Sequence, residues 1–467
     1  MREVAAAPAI AALLARYDRP GPRYTSYPTA VEFHEGVTDA VYQEHLARAD
    51  AFVDRPLSLY THLPFCEERC AYCGCNVVIT RHRDVTDQYL DYLDRETDLL
   101  AAALPHRRTI SQLHWGGGTP TYYTAPQLER VFARIARHFH FAAEAEIGVE
   151  IDPRVTTRAQ LSALARVGFN RLSMGVQDFA PDVQEAVNRI QSYEQTRALV
   201  DHARAEGYRS INVDLIYGLP YQAPGSFSRT LEQVLSFRPE RVAVYSFAFV
   251  PWMKAHMKHL AAESLPAPAL KMELLALARS AFLEAGYRAI GMDHFAVPED
   301  ELARALDARA LHHNFMGYTV QSAEDMVALG VSGIGDVQGA FVQNAKKLTD
   351  YYAALDEGRF PVMRGYVRSD DDEVRRFVIT ALMCNGHLRK AEVAERFGVA
   401  FDDYFAPEID ALTGPGSPAE DGLLVVQPDA LELTETGHMF VRNVCMAFDR
   451  YLGARTAGQT PVFSRTV

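Results

Sequence analysis

Six short apolar runs, at 57–62, 109–115, 146–151, 170–175, 210–217 and 241–247, are each followed by a polar or glycine-rich turn. Between them lie stretches whose apolar residues recur at helical spacing, at 85–104, 125–139, 158–167, 192–206 and 224–237. Strands separated by long helices must pair in parallel, because a parallel pair needs a crossover connection. Six such units predict an α/β chain built as a full or partial (β/α) barrel, in which sites form at the C-terminal ends of the strands.

The texture changes at two places. Residues 1–55 precede the first strand and contain a segment rich in Pro, Gly and Tyr at 19–29; residues 56–365 hold the strand–helix alternation. Residues 366–467 read as a small helical domain, with helices at 371–383 and 390–397, a Gly/Pro break at 413–418 and a last helix near 437–451. Hydrophobic residues make up 48% and charged residues 23% of the 467, enough to bury a sizeable core.

Charge narrows the partners. With 47 Lys and Arg against 60 Asp and Glu, the net charge is −13, which argues against non-specific nucleic-acid binding. It leaves room for an anionic small substrate held by local arginines. No apolar run approaches the ~20 residues a membrane span needs. The alanine-rich start lacks the basic flank and cleavage site of a secretory signal, so a cytoplasmic location is expected.

Four of the six cysteines, Cys66, Cys70, Cys73 and Cys75, fall within ten residues, whereas Cys384 and Cys445 stand alone. A disulfide framework would spread its cysteines. Three thiolates at spacings of four and three can take three corners of a cubane iron–sulfur cluster. A four-cysteine zinc site is the alternative, but such sites normally pair two separated Cys-x-x-Cys knuckles and there is no second knuckle here.

Trp115-Gly-Gly-Gly-Thr-Pro-Thr121 follows the second predicted strand. Successive glycines admit a ligand close to the backbone, although a tight turn would use them equally well. At later strand ends stand Glu150 with Asp152, Gln177 with Asp178, Arg189, and Asp214. Each alone reads as well as a satisfied core group or a helix cap. Together they recur at the barrel end where such residues bind. Glu150 or Asp214 suits ribose hydroxyls, and the donor fork of Arg189 suits a carboxylate.

The CxxxCxxC loop after a first barrel strand resembles the radical S-adenosylmethionine superfamily. The resemblance narrows with Arg23-Tyr-Thr-Ser-Tyr-Pro-Thr29, Cys73-Gly-Cys75-Asn76, Leu113-His-Trp-Gly-Gly-Gly-Thr-Pro-Thr121, Gly168 to Phe179, Asp214-Leu-Ile-Tyr-Gly-Leu-Pro220, Gly291-Met-Asp-His-Phe295 and Val441 to Met446. These segments resemble the oxygen-independent coproporphyrinogen III oxidases of haem biosynthesis, from about residue 17 to the C-terminus.

That resemblance implies an enzyme that converts two propionates of coproporphyrinogen III to vinyl groups, by hydrogen abstraction with a 5′-deoxyadenosyl radical. It implies a 4Fe–4S cluster on Cys66, Cys70 and Cys73, with Cys75 a non-ligand. It further implies two S-adenosylmethionine molecules. Tyr60, Gly117 and Glu150 would meet the cluster-bound one, and Tyr72, Gly118, Thr119, Gln177, Arg189, Asp214, Ala248 and Ile334 would line the second. The 23–29 segment resembles the family's N-terminal lid, with Arg23 a candidate partner for a substrate carboxylate.

A reducing protein such as a flavodoxin or ferredoxin is implied as electron donor, and a monomer is expected. Two departures touch the second cofactor: Ala248-Phe249 stands where the family has alanine–histidine, and Gly333-Ile-Gly-Asp336 matches loosely. Related readings are a haem-trafficking chaperone and a haem-modifying radical enzyme of the same superfamily. The Tyr-Thr-Ser-Tyr-Pro segment and the Cys-Gly-Cys ending weigh against the chaperone, and the full-length lid and helical tail against the haem-modifying enzyme.

Overall fold

The computed structural model describes residues 7–320, 323–453 and 462–466. The alanine-rich start lies partly, and positions 454–461 of the C-terminal unit wholly, outside the described residues.

Six parallel strands alternate with helices where the pattern places them: β1 Leu57–Leu63, β2 Thr109–Gly117, β3 His140–Ile151, β4 Arg171–Gln177, β5 Ser210–Tyr217 and β6 Arg241–Ser246. The crossovers include the helices Val85–Ala103, Ala125–His138, Arg158–Val167, Tyr193–Ala205 and Pro224–Ser236. Capping fixes their starts: Thr157 accepts from Gln160 N–H and Ser192 from Gln195 N–H.

Further strands widen the sheet, and sequence reading did not anticipate them. β7 Arg288–Ile290 and β8 His294–Ala296 add antiparallel strands beyond β6. β9 Met326–Leu329 runs parallel to β1 on the other side, followed by the antiparallel β10 Ile334–Val337, β11 Ala340–Asn344 and β12 Val362–Val367. The twelve strands run β12-β11-β10-β9-β1-β2-β3-β4-β5-β6-β8-β7, so the first and last are not paired to each other and the barrel is partial.

The two faces of the parallel strands differ in chemistry. Ile147, Val149 and Ile151 of β3, Leu172, Met174 and Val176 of β4, and Ile211, Val213 and Leu215 of β5 are all buried in the main core. The alternate positions, including Glu150, Ser173, Asn212 and Asp214, line an interior cavity. Successive side chains of a strand point to opposite faces, so one period-two pattern makes both the core and the cavity wall. Aliphatic layers fill the interior of an ordinary closed barrel; this one is polar and open.

Residues 366 onward contain helices, as expected, led by Asp370–Asn385 and Lys390–Phe397. They also contain an unanticipated three-stranded antiparallel sheet of His387–Arg389, Ala430–Leu433 and Leu424–Val426. In place of one last helix there are three short helical segments, Glu435–Met439, Val441–Cys445 and Met446–Phe448.

The N-terminal stretch packs in two directions. Tyr42, Leu46 and Ala49 of the helix Asp39–Asp50 join the main core. Tyr24 and Tyr27 join the C-terminal core with Leu382, Leu431, Val444 and Phe448. Arg442 fastens this arrangement: its guanidinium donates to the carbonyls of Gly21, Pro22, Arg465 and Thr466.

Candidate active site

The cysteine loop leaves the end of β1. A short strand Phe65–Cys66 pairs with Val78–Ile79 and closes the loop's base. A turn from Cys73 N–H to Cys70 O shapes its middle. Outside groups pin it: Ala71 N–H donates to Val187 O, Asn188 to Arg69 O, and the His256 ring to Cys73 O at 2.9 Å.

All six cysteines are free thiols. The Cys66 sulfur lies 3.3 Å from the Thr119 hydroxyl, and Cys70 accepts from Arg154 at 3.3 Å and Arg189 at 3.5 Å. Hydrogen bonding from Cys75 lowers the Cys73 thiol to about 6, whereas burial pushes Cys66 up to about 11. Cys75 itself is exposed. Among the described residues, no three His, Cys, Asp or Glu side chains converge as a single ion would require. A cubane cluster instead takes one thiolate on each of separate irons.

Gly117 and Gly118 are required by the chain's own packing, and Gly116 leaves room for the Glu150 carboxylate. A Cβ on Gly116 would lie 2.8 Å from Glu150 Oε2, and one on Gly118 would lie 2.4 Å from Pro64 O. Gly117 has φ +122°, a conformation L side chains rarely adopt, and its Cβ would meet the His62 ring at 2.9 Å. The glycine turn is thus pressed against the root of the cysteine loop, with Gly118 N–H donating to Leu63 O and Thr119 N–H to Phe65 O.

Tyr60, His62, His114 and Glu150 form a connected row. The His62 Nε2 proton goes to Asn76 O at 2.9 Å, so Nδ1 accepts from the Tyr60 hydroxyl at 3.0 Å. Burial lowers the His62 pKa, consistent with this neutral form. Tyr60 stacks on His114, whose Nε2 meets Glu150 at 3.3 Å. Burial pushes the Glu150 carboxyl up, but His114, the Gly117 N–H and His62 outweigh it and hold the group below its ordinary value. Its side chain is 48% exposed, at the cavity wall.

Asp152 is buried against the two arginines that reach Cys70. It accepts from Arg154 at 2.7 Å and from Arg189 at 3.0 Å. Burial raises its pKa, while Arg189 and Arg154 more than reverse the effect. The fork of Arg189, expected to hold a ligand carboxylate, is therefore engaged by Asp152 and by Gly175 O, with Nε buried and unpartnered. Arg154 was not singled out from sequence; its place directly after Asp152-Pro153 at the end of β3 was the available signal.

Asp214 accepts from Asn212 at 2.8 Å and Ser173 at 3.3 Å, and burial raises it to about 6 with the nearby Glu150 charge adding to the shift. It faces the same cavity of about 130 Å³ as Glu150, His114, Tyr245 and His294. Gln177, with φ +66°, turns the chain at the end of β4. Asp178 is a structural group, saturated by Thr230, Gln222 and Ala180 N–H. Tyr72 packs beside Phe249 and Val187, and its hydroxyl feels the Arg189 charge.

Ala248 lies two residues beyond the end of β6. Ile334 opens β10, which lies on the β9 side of β1 in the sheet order, with β4–β6 on the other side. Of the loosely matching Gly333–Asp336 stretch, Asp336 is tied to Arg368 and Arg376.

Arg23, the candidate partner for a substrate carboxylate, lines a second cavity together with Asp293 and Arg442. Asp293 already takes the Arg23 guanidinium, which also lies over the Tyr245 ring at 5.4 Å. Asp293 in turn accepts from His294 at 2.7 Å and is held far below the ordinary carboxylate range despite its burial.

Two family models match the chain: the radical SAM superfamily over residues 60–234 and the HemN C-terminal domain over 369–440. The oxygen-independent coproporphyrinogen III oxidase of Salmonella typhimurium is 44% identical over 457 residues, covering 98% of both chains. The enzyme of the same name from Pseudomonas aeruginosa is 43% identical over 445 residues, covering 94% of this chain and 95% of the relative. The solved structure of coproporphyrinogen III oxidase (HemN) from Escherichia coli is 43% identical, with a TM-score of 0.88, and covers 92% of this chain and 97% of that one.

Proposed function

Since the chain belongs to the family of oxygen-independent coproporphyrinogen III oxidases, we propose that it decarboxylates two propionates of coproporphyrinogen III to vinyl groups, giving protoporphyrinogen IX. The observation that carries this reading is one juxtaposition: the free thiols of the 66–73 loop stand beside the glycine turn and Glu150, over a polar cavity. The chain is an oxidoreductase of haem biosynthesis that uses a 4Fe–4S cluster and S-adenosylmethionine. Cys66, Cys70 and Cys73 would hold the cluster. Glu150, the unpartnered Asn212 Oδ1 in the cavity wall and the buried Arg189 Nε are polar atoms able to meet the cofactor's own polar groups.

When bound, the cluster and S-adenosylmethionine supply a radical able to take a hydrogen atom from an unactivated carbon. The remaining work belongs to side chains. Arg154 and Arg189 donate to the Cys70 sulfur and hold it in place. Asp152 fixes both arginines. His62 keeps its proton on Nε2, anchors Asn76 at the end of the loop and receives the Tyr60 hydroxyl. Glu150, kept ionised by His114, is an acceptor suited to ribose hydroxyls. Tyr72, Gly118, Thr119, Gln177, Arg189, Asp214, Ala248 and Ile334 are the residues we assign to a second S-adenosylmethionine.

We read the enzyme as a cytoplasmic monomer that receives electrons from a small carrier protein. No helix among the described residues is long and apolar enough to cross a membrane. The test is an anaerobic assay of the cluster-reconstituted chain with coproporphyrinogen III, S-adenosylmethionine and dithionite. Vinyl product supports the reading; cofactor cleavage without any vinyl product overturns it.

A further inference from the structure

The chain has only six lysines: Lys254, Lys258, Lys271, Lys346, Lys347 and Lys390. Four of them occupy two loops, and both loops touch the cysteine loop. Between Lys254 and Lys258, the His256 ring donates to Cys73 O at 2.9 Å. On the other side, Asn76 donates to Lys346 O at 3.1 Å. Lys258, Lys346 and Lys347 are exposed. The acids of the cysteine loop are already paired, Glu67 with Arg83 and Glu68 with Arg81, while Arg69 carries a further positive charge. A local basic rim therefore surrounds the cysteines of a chain whose net charge is −13.

Apolar side chains are exposed at the same place. Ile190, next to Arg189, is 72% exposed, and Met253, next to Lys254, is 57% exposed. Val250, three residues before Met253, packs with Ala71 and Tyr72 of the cysteine loop. Exposed apolar groups rimmed by one sign of charge mark a protein-binding surface. The four-carboxylate substrate is the competing occupant. None of the four lysines lines the interior cavity, where the reacting carbons must reach the cofactor.

We propose that this rim is the docking surface for a small acidic one-electron carrier protein, which rests on the oxidase reading above. The carrier would lose one electron per encounter, and a cluster held by Cys66, Cys70 and Cys73 would accept it. Charge complementarity of this kind acts mainly on the rate of encounter and on orientation, and it weakens as salt screens it.

The experiment titrates the cluster-loaded chain with a purified acidic flavodoxin by calorimetry at low and moderate salt, alongside a Lys258→Glu, Lys346→Glu, Lys347→Glu variant. The wild-type Kd should rise steeply with salt. The variant should bind about ten-fold more weakly at low salt and lose most of the salt dependence. An alanine triple variant should fall between the two. With dithionite as reductant, the variants should form vinyl product with unchanged KM for coproporphyrinogen.

Unchanged carrier affinity overturns the proposal, as does a wild type that binds no carrier. A raised KM under dithionite overturns it in favour of substrate binding at the rim. If no reductant drives vinyl formation in the wild type, the oxidase reading fails, and the titration still decides the surface.

Discussion

Replacing Asp152 by Asn removes one buried negative charge and changes almost nothing in shape. In the native chain that carboxylate accepts from the backbone N–H of Arg154 at 3.0 Å, its Nη2 at 2.7 Å and Arg189 at 3.0 Å. The side chains of Asp152 and Arg189 are 8% and 7% exposed, so water cannot replace what is lost. Breaking a buried ion pair from one side costs about 3–5 kcal/mol, because the partner charge stays buried without compensation. The amide oxygen of Asn keeps one acceptor, which places the expected loss near the lower end, about 3 kcal/mol.

The effect has a sign in pH. The folded-state pKa of Asp152 is depressed, so its contribution is complete above the unfolded value of about 3.9 and is lost as pH falls through the folded value. The gap between wild type and Asp152→Asn should therefore be full at pH 7 and close progressively below about pH 4. Trp115, buried against Phe169 at 4.6 Å, reports barrel unfolding by fluorescence in urea. A gap under about 1 kcal/mol at pH 7, or one that does not narrow in acid, refutes the reasoning.

Cys66→Ala, Cys70→Ala and Cys73→Ala should each abolish iron uptake, read by iron content and visible absorption, while Cys75→Ala should retain it. Glu150→Ala should weaken S-adenosylmethionine binding by about 1–3 kcal/mol in anaerobic titration with the cluster intact; unchanged affinity removes Glu150 from the site. Gly118→Ala forces a methyl to 2.4 Å from Pro64 O, which is backbone, and should cost about 1–3 kcal/mol with a matching loss of iron retention. Tyr27→Ala, emptying a fully buried position in the C-terminal core, should cost about 3–5 kcal/mol in a urea melt of that unit.

The six parallel strands are legible in the sequence because each is long enough to show its buried face, as Ile211, Val213 and Leu215 do in β5. β7 to β10 were not, since strands of three or four residues are too short to show a period. Nor was the sheet at 387–433, whose strands are equally short and are set among helices. In the site, the cysteine spacing is local and therefore readable. The pairing of Arg189 with Asp152 spans 37 residues, and that of Arg23 with Asp293 spans 270. Side chains that meet only through the fold leave no spacing to recognise, which is why both arginines read as free for a ligand.

The clasp formed by Arg442 has a consequence for the order of synthesis. It joins Pro22 to a residue 420 positions later, and Tyr24 and Tyr27 are covered by Val444 and Phe448 at similar separation. At a translation rate of about 5–20 residues per second, that interval lasts roughly 20–80 s. Throughout it, the tyrosine segment has been made and its cover has not. The cysteine loop, the glycine turn and β3 have all emerged by then, so the metal site can assemble on a nascent chain whose ends are still apart. The C-terminal core closes late, and in closing it draws Pro22, Tyr24 and Tyr27 against residues made some 420 positions after them.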